Sequence, residues 1–339
     1  MRILIFAPRK EKSNAYLRFI KCAVRKIAKE NGVAFTENVK DVSRFDSFIF
    51  FKPVDISRIN AWWIYHVKLP WIAKRIRANK IISLTGAAIA SPTPQSIICS
   101  LPNKKTQFYW QWNAQKKLKQ SINKSLSVFT YNHEIFSSAE KIHRLRPFLL
   151  DKKISISEEE RIKLKNEHAN TFEFFYASFE KINEEDFVFL LKAFSKFKKW
   201  QLSNMQLLVE GSESDFPSDK LSSYKYRRDI HFIKKSNDKI KAAAYASIHI
   251  TKDETDVIPV LKSFQLQVPI IVSSNVLIVD EFSAAVLVFD NHSFEMLAKQ
   301  MIDIYKDETK RGQLEDIGNQ IVQAVNINEA KDELWRLLF

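Results

Sequence analysis

Short apolar runs recur along this chain from end to end. Most are followed by a longer stretch in which apolar residues return every three or four positions. The runs include 2–8 (RILIFAP), 45–51 (FDSFIFF), 81–86 (IISLTG), 126–130 (LSVFT), 172–177 (FEFFYA), 205–211 (MQLLVEG), 230–233 (IHFI), 246–250 (ASIHI), 268–272 (VPIIV) and 285–289 (AVLVF). Segments this short and this continuously apolar fit strands buried on both faces. Stretches such as 16–27 (YLRFIKCAVRKI) and 187–197 (FVFLLKAFSKF) fit amphipathic helices that cover them. Strand–helix alternation predicts βαβ units and parallel sheets, with ligands beyond the carboxyl ends of the strands. The Asn31-Gly32 pair closes the first helix, 33–35 is a second short strand, and Lys52-Pro53 ends the strand at 45–51. Residues 87–107, with Pro92, Pro94 and Pro102, read as an irregular loop or a short helix.

The alternation breaks once. Residues 151–170 (DKKISISEEERIKLKNEHAN) are polar and charge-rich, and read as a linker. At about 150 residues per domain, a chain of 339 residues has room for two domains, each with its own core. The expected division is 1–155 and 165–325, with 326–339 a C-terminal helix packing back on the first domain. The fold class is then α/β, two Rossmann-like domains with parallel sheets facing a cleft.

Charge separates the two halves. Residues 1–150 hold 27 Lys and Arg against 8 Asp and Glu, or +19; the remainder hold 26 against 31, or −5, which together give the net +14. A basic half joined to a mildly acidic one suggests that the basic half faces a polyanion, either anionic lipid headgroups or nucleic acid.

Other classes are disfavoured. No segment reaches 18 uninterrupted apolar residues, so no transmembrane helix is expected. The apolar start at 1–8 is too short for a signal peptide and reads as a buried strand. Cys22 and Cys99 lack a CxxC spacing and read as buried, reduced thiols of a cytoplasmic protein. No HExxH, paired cysteines or histidine cluster points to a metal, and GxGxxG, GxxxxGK[ST] and GxSxG are absent. Only 5 glycines leave little room for phosphate-cradling loops.

The order of elements in the second half resembles the C-terminal domain of GT-B glycosyltransferases, specifically the retaining glycosyltransferase family 4 (group 1). The resemblance rests on LLKAF at 190–194, LLVEG at 207–211, AYASIHITKDETDVIPVLKSFQLQVPIIVS at 244–273 and AAVLVFDNHSFEMLAKQMIDIYKDE at 284–308. The first half matches only in its pattern of elements. The family motif is two glutamates separated by seven residues. Its first position falls on Glu254 and its second on Lys262, and Thr255-Asp256-Val257 stands where the family has a glycine-rich turn.

The resemblance implies the following. The protein is a retaining, metal-independent hexosyltransferase that needs no cofactor and takes a nucleotide-sugar donor as substrate. Glu254 accepts hydrogen bonds from the sugar. Lys262, a donor-only ammonium, contacts phosphate rather than ribose. The helix opening at Val257, Ile258 and Pro259 turns free N–H groups and its positive end toward the diphosphate. Lys181 is the counterpart of the family's phosphate-neutralising basic residue, and Glu281 corresponds to a recurring family glutamate. The acceptor is a saccharide or lipid-linked glycan of the cell envelope, entering over the basic half. A glycosyltransferase-like protein without catalysis, binding saccharide or scaffolding a partner, is the second reading. A nucleic-acid-binding protein is the third and weakest, since no reader motif is present.

Two features of the basic half stay open. The stretch 62–77 (WWIYHVKLPWIAKRIR) is a basic helix rich in tryptophan. It fits an anionic membrane surface, on which the cytoplasmic protein would sit peripherally, but also nucleic-acid stacking, or a helix packed inward by its tryptophans. The cluster 108–112 (FYWQW) either adds to that surface or lines the acceptor cleft, and His133-Glu134 lies near where that cleft should open; His66 and His143 belong to the same half. His249, inside an apolar strand, reads as a satisfied structural histidine.

Overall fold

The computed structural model describes residues 1–9, 15–55, 60–99, 121, 125–130, 142–145, 147–149, 154–234, 237–276, 278, 280–324 and 327–338. The chain forms two compact units, Met1–Leu150 with Ile327–Phe339, and Asp151–Asn326. Each is a parallel α/β sheet with flanking helices, the arrangement of the two halves of a GT-B fold.

The first unit runs β1 (Arg2–Pro8), α1 (Ala15–Glu30), β2 (Ala34–Thr36), β3 (Phe48–Val54), then a helical run of α2 (Ala61–Trp63), a π-helical turn (Ile64–Lys68) and α3 (Leu69–Arg75). Strands β4 (Lys80–Ser83), β5 (Gln95–Cys99), β6 (Ser127–Thr130) and β7 (Ile142–Arg144) follow. The sheet order is β2-β3-β1-β4-β5-β6-β7. The central strand β1 is buried through its middle and pairs on both sides, with β3 and β4, as its unbroken apolar run requires.

Several expectations need correction here. Strand β3 does not stop at Lys52-Pro53 but continues to Val54. Its neighbour β2 ends opposite Phe50, so among the described residues no strand beyond that point needs an N–H from Pro53. The stretch read as irregular holds β5, hidden in sequence by its polar start and two preceding prolines, and held in register by β4 and β6. Strand β7 is three residues long and carried no signal. Cys22 is exposed, not buried. It lies on the outer face of α1, whose buried positions include Phe19, Ile20, Ala23, Val24 and Ile27. Cys99 closes β5, and its side chain lies outside the described residues.

The second unit runs α4 (Glu158–His168), β8 (Phe174–Phe179), α5 (Glu184–Gln201), β9 (Gln206–Glu210), α6 (Ser218–Ser222), β10 (Ile230–Ile233), α7 (Asp238–Ala242) and β11 (Ala246–Ile250). It continues through α8 (Ile258–Gln265), β12 (Ile270–Ser273), α9 (Asp280–Ser283), β13 (Val286–Phe289), α10 (Phe294–Lys306) and α11 (Glu308–Ala324). Helix α4 lies inside the stretch read as a linker. It buries no residue, so it shows no apolar stripe, but Ser157 caps it and three glutamates fill its first turn. The final helix, α12 (Ile327–Leu338), returns to the first unit, where Lys331 Nζ lies 3.0 Å from both carboxylate oxygens of Glu30 on α1.

The sheet order β10-β9-β8-β11-β12-β13 is 3-2-1-4-5-6 in the unit's own count of strands. Its core is strongly aromatic: Phe175, Phe187, Phe194 and Phe197 are fully buried, and Phe175 meets Phe197 edge to face at 5.3 Å.

Candidate functional site

In a sheet of this order the chain leaves the central pair of strands in opposite directions. Here that pair is β8 and β11, with His249 in register with Ser178 and Ile250 with Phe179. The connections after the two strands diverge, one into α5 and the other into α8, and open a crevice beyond their carboxyl ends. The sequence places its most polar turns there, 180–183 and 251–257.

The turn after β11 is shaped by its own side chains. The Thr251 hydroxyl accepts from the Asp253 N–H at 3.0 Å, and Asp253 Oδ1 accepts from the Thr255 N–H and hydroxyl at 2.9 and 2.7 Å. Side chains from three neighbouring connections anchor it. Ser273 Oγ accepts from the Thr251 N–H at 3.0 Å, Asn291 Nδ2 donates to the Thr251 carbonyl at 3.0 Å, and Glu180 Oε2 accepts from the Thr251 hydroxyl at 3.2 Å. Lys252 reaches across to the start of α5, 2.8 Å from Glu185 and 3.5 Å from Asp186. The Glu185 hydrogen bond raises the Lys252 pKa above its ordinary value.

Within this frame Glu254 is half-buried. Among the described residues its carboxylate has no hydrogen-bond or ion-pair partner. The structure thus leaves a carboxylate open at the switch point of a parallel sheet. Asp256, two residues on, behaves differently. It is buried, and its Oδ2 lies 2.8 Å from His249 Nε2, while His249 Nδ1 lies 2.9 Å from Ser178 Oγ. With Nε2–H donating to the carboxylate, Nδ1 accepts from the serine hydroxyl, a tautomer set by the network. Asp256, His249 and Ser178 therefore form one buried chain tying the 251–257 turn to β11 and β8. His249 is the satisfied strand histidine that its apolar surroundings suggest. Its partners, seven and 71 residues away, leave no spacing signal in sequence.

The other anticipated residues are distributed as follows. Val257 is the N-cap of α8, with Ile258 and Pro259 opening the helix. The Val257 N–H already donates to Thr255 O at 2.9 Å and the Val260 N–H to Val257 O at 3.0 Å, and proline has none. Of the three positions expected to turn free N–H groups toward a diphosphate, only Ile258 has a donor without an acceptor among the described residues. Lys262 lies mostly buried on α8, its Nζ 2.7 Å from Asp238 Oδ2. Lys181 is exposed in the turn after β8, and no carboxylate pairs with it among the described residues. Glu281 belongs to α9, but its side chain lies outside the described residues, as do 108–112 and His133-Glu134. His143 is exposed on β7. No group of three or more His, Cys, Asp or Glu that could hold a metal occurs among the described residues.

Beside Lys262 lies an amine that sequence reading missed. Lys241 is buried against α8 and donates to the Pro259 carbonyl at 3.4 Å. Burial pushes its ammonium from 10.5 down to about 8, against the attraction of Glu210, Asp238 and Asp256. Glu210 in turn accepts from the Tyr176 hydroxyl at 3.1 Å. The folded pKa is depressed, so between about 8 and 10.5 the unfolded chain binds more protons and stability rises with pH. Below about 8 the full cost of burying the cation, about 3 kcal/mol, is present. Urea melts of the wild type and Lys241→Met should therefore differ by a stability gap that moves in favour of the wild type by about that amount over this interval. A gap constant with pH would show that the amine is not desolvated.

Residues 157–320 match the family described as glycosyl transferases group 1. Over nearly its whole length the second unit is similar to group 1 glycosyl transferases. Across the whole chain the fold is similar to that of Anabaena Alr3699/HepE solved in complex with UDP and glucose, with TM-score 0.69 and 11% identity, covering 100% of this chain and 99% of that one. It is also similar to the glycosyltransferase from Rickettsia africae ESF-5, at TM-score 0.65 and 11% identity, covering 99% and 97%. WaaG, a glycosyltransferase involved in lipopolysaccharide biosynthesis, has TM-score 0.65 and 10% identity, covering 99% of each chain. At such identities the likeness is one of fold. A comparison with curated proteins finds no match.

The positions that the resemblance assigns to the family's two motif glutamates are occupied by Glu254 and Lys262. The first is a half-buried carboxylate in the turn after β11, without a partner among the described residues. The second is spent on an internal ion pair with Asp238.

Proposed function

We propose that this protein is a glycosyltransferase that moves a sugar from a nucleotide-sugar donor to a saccharide or lipid-linked acceptor of the cell envelope, without a metal. The observation that carries the reading is Glu254, half-buried and unpartnered among the described residues at the β8/β11 switch point of a unit similar to group 1 glycosyl transferases. A carboxylate there accepts hydrogen bonds from sugar hydroxyls. The leaving diphosphate would face the start of α8, where the Ile258 N–H and the helix dipole favour an anion, and the exposed Lys181 ammonium adds charge. The Anabaena protein was solved with UDP and glucose, which makes uridine donors the first to test. WaaG's role in lipopolysaccharide biosynthesis supports an envelope glycan as the acceptor class.

A second reading is a glycosyltransferase-like protein without catalysis, which binds saccharide or scaffolds a partner and takes no nucleotide sugar. It is favoured by Lys262, which is held by Asp238 where the family has a ribose-binding glutamate. Thermal unfolding against a panel of nucleoside diphosphates and nucleotide sugars separates the two. A ligand present at roughly 100 times its dissociation constant adds about 2.7 kcal/mol, a shift of several degrees for a unit of this size. A shift with one nucleotide sugar, lost in Glu254→Ala, supports transfer chemistry at this crevice. No shift with any member of the panel, in a cooperatively folding sample, would remove the transferase reading.

A further inference from the structure

The helical run 61–75 in the first unit was open to three readings from sequence, one of which had its tryptophans packed inward. The structure excludes that one. Trp62 is 68% exposed, Trp63 49% and Trp71 57%, with Val67 at 42% between them. The positions that bury themselves are Ile64, Tyr65, Leu69, Ile72 and Ala73, which pack beneath β1, β3 and β4. Three indoles therefore stand on the outer face of a helix whose inner face is already satisfied by Tyr65 and aliphatic residues.

Cations frame the indoles. Lys68 Nζ lies 5.4 Å from the Trp63 ring, the Arg75 guanidinium 5.0 Å from Trp71, and His66 stacks on Trp62 at 5.4 Å. Lys74 and Arg77 are exposed beside them. Residues 61–80 contain no Asp or Glu. Lys68, Lys74, Arg75 and Arg77 make no ion pair with a carboxylate among the described residues. The half that carries this face holds the +19 excess counted above.

We infer that the outer face of 61–75 is a docking surface for an anionic phospholipid membrane, with Trp62, Trp63 and Trp71 entering the interfacial layer and Lys68, Lys74, Arg75 and Arg77 meeting the headgroups. Indole has a large apolar body and one N–H, which suits the boundary between acyl chain and headgroup. Lysine and arginine keep their charge at the same depth through long apolar stems. Charge complementarity selects the anionic surface. Single-strand binding needs a groove alongside stacking, which the outer face of one helix does not supply by itself. No helix among the described residues is long and apolar enough to cross a membrane, so the attachment is to the surface. The inference stands whether or not the donor crevice is catalytic.

The test is sedimentation of the full chain with vesicles of equal parts phosphatidylglycerol and phosphatidylcholine, against vesicles of phosphatidylcholine alone. The wild type should bind the first and not the second. The triple variant Trp62→Ala/Trp63→Ala/Trp71→Ala should weaken binding by about tenfold or more. Lys74→Glu and Arg77→Glu should each weaken it roughly fivefold, more steeply in low salt. Thermal unfolding of each variant checks that the fold survives, since all the altered side chains are exposed. Brominated phosphatidylglycerol should quench wild-type tryptophan emission more than that of the triple variant. The inference is overturned by absence of binding to anionic vesicles at low salt, by binding that the triple variant retains in full, by tighter binding to single-stranded DNA that the same variants abolish, or by a self-association that the triple variant abolishes.

Discussion

Glu254→Gln is expected to lower kcat/KM for glycosyl transfer by roughly 10- to 150-fold, with the fold and the nucleotide affinity retained. The substitution keeps the shape and one acceptor oxygen but removes the charge. A hydrogen bond to a charged group contributes about 1.5–3 kcal/mol, and that interval converts to the stated range of rates. The loss should fall mainly on kcat if the carboxylate meets the sugar more strongly in the transition state, and on KM if it holds the ground state equally. Nucleoside diphosphate binding should change little, since that ligand lacks the sugar. Steady-state kinetics with the donor found in the thermal panel, alongside titration of the diphosphate alone, make the measurement. Equal rates for variant and wild type would remove Glu254 from the reaction.

The second large effect concerns stability. His249→Leu is expected to destabilise the second unit by about 3 kcal/mol or more, because it leaves the buried Asp256 carboxylate without its partner. Ser178 loses its acceptor as well, although its hydroxyl can turn to the Ile248 carbonyl 3.4 Å away. At roughly 2–4 °C per kcal/mol for a unit of this size, the melting temperature should drop by about 10 °C. The double variant His249→Leu/Asp256→Leu should recover part of the loss, since replacing both partners leaves no buried charge behind. Calorimetry of the two singles and the double gives the coupling. Additive losses would mean that the two side chains do not depend on each other, and that the 251–257 turn is held by the Thr251 and Asp253 hydrogen bonds alone.

Much of the fold was legible because it depends on local pattern. Continuous apolar runs such as 2–8, 205–211 and 246–250 need burial on both faces, and the helical stretches between them leave a parallel sheet as the economical arrangement. The errors came where local pattern was weak or ambiguous. Strand β5 hides behind Pro92 and Pro94 and exists because β4 and β6 flank it. Helix α4 has no apolar stripe and depends on capping and first-turn charge. Cys22 is apolar by type, but its neighbours on α1 bury the other face.

At the candidate site the sequence determined which residue types stand on the 251–257 turn, and, through the order of elements, that the turn lies beyond the strand ends. It also places a lysine, Lys262, where the resemblance expects the family's second motif glutamate. Only the tertiary structure decided what each charge does. Pairing across β8 and β11 turns Asp256 inward to His249, Asp238 on the neighbouring helix occupies Lys262, and Glu254 is left open. The same holds for 61–75. Sequence determined its tryptophans and cations, while packing of Ile64, Leu69 and Ile72 against the sheet decided that the indoles face outward. The physical reason is common to both. Composition and period fix which side chains are available within a few residues, whereas the direction of a charge or an indole depends on partners brought together from distant parts of the chain.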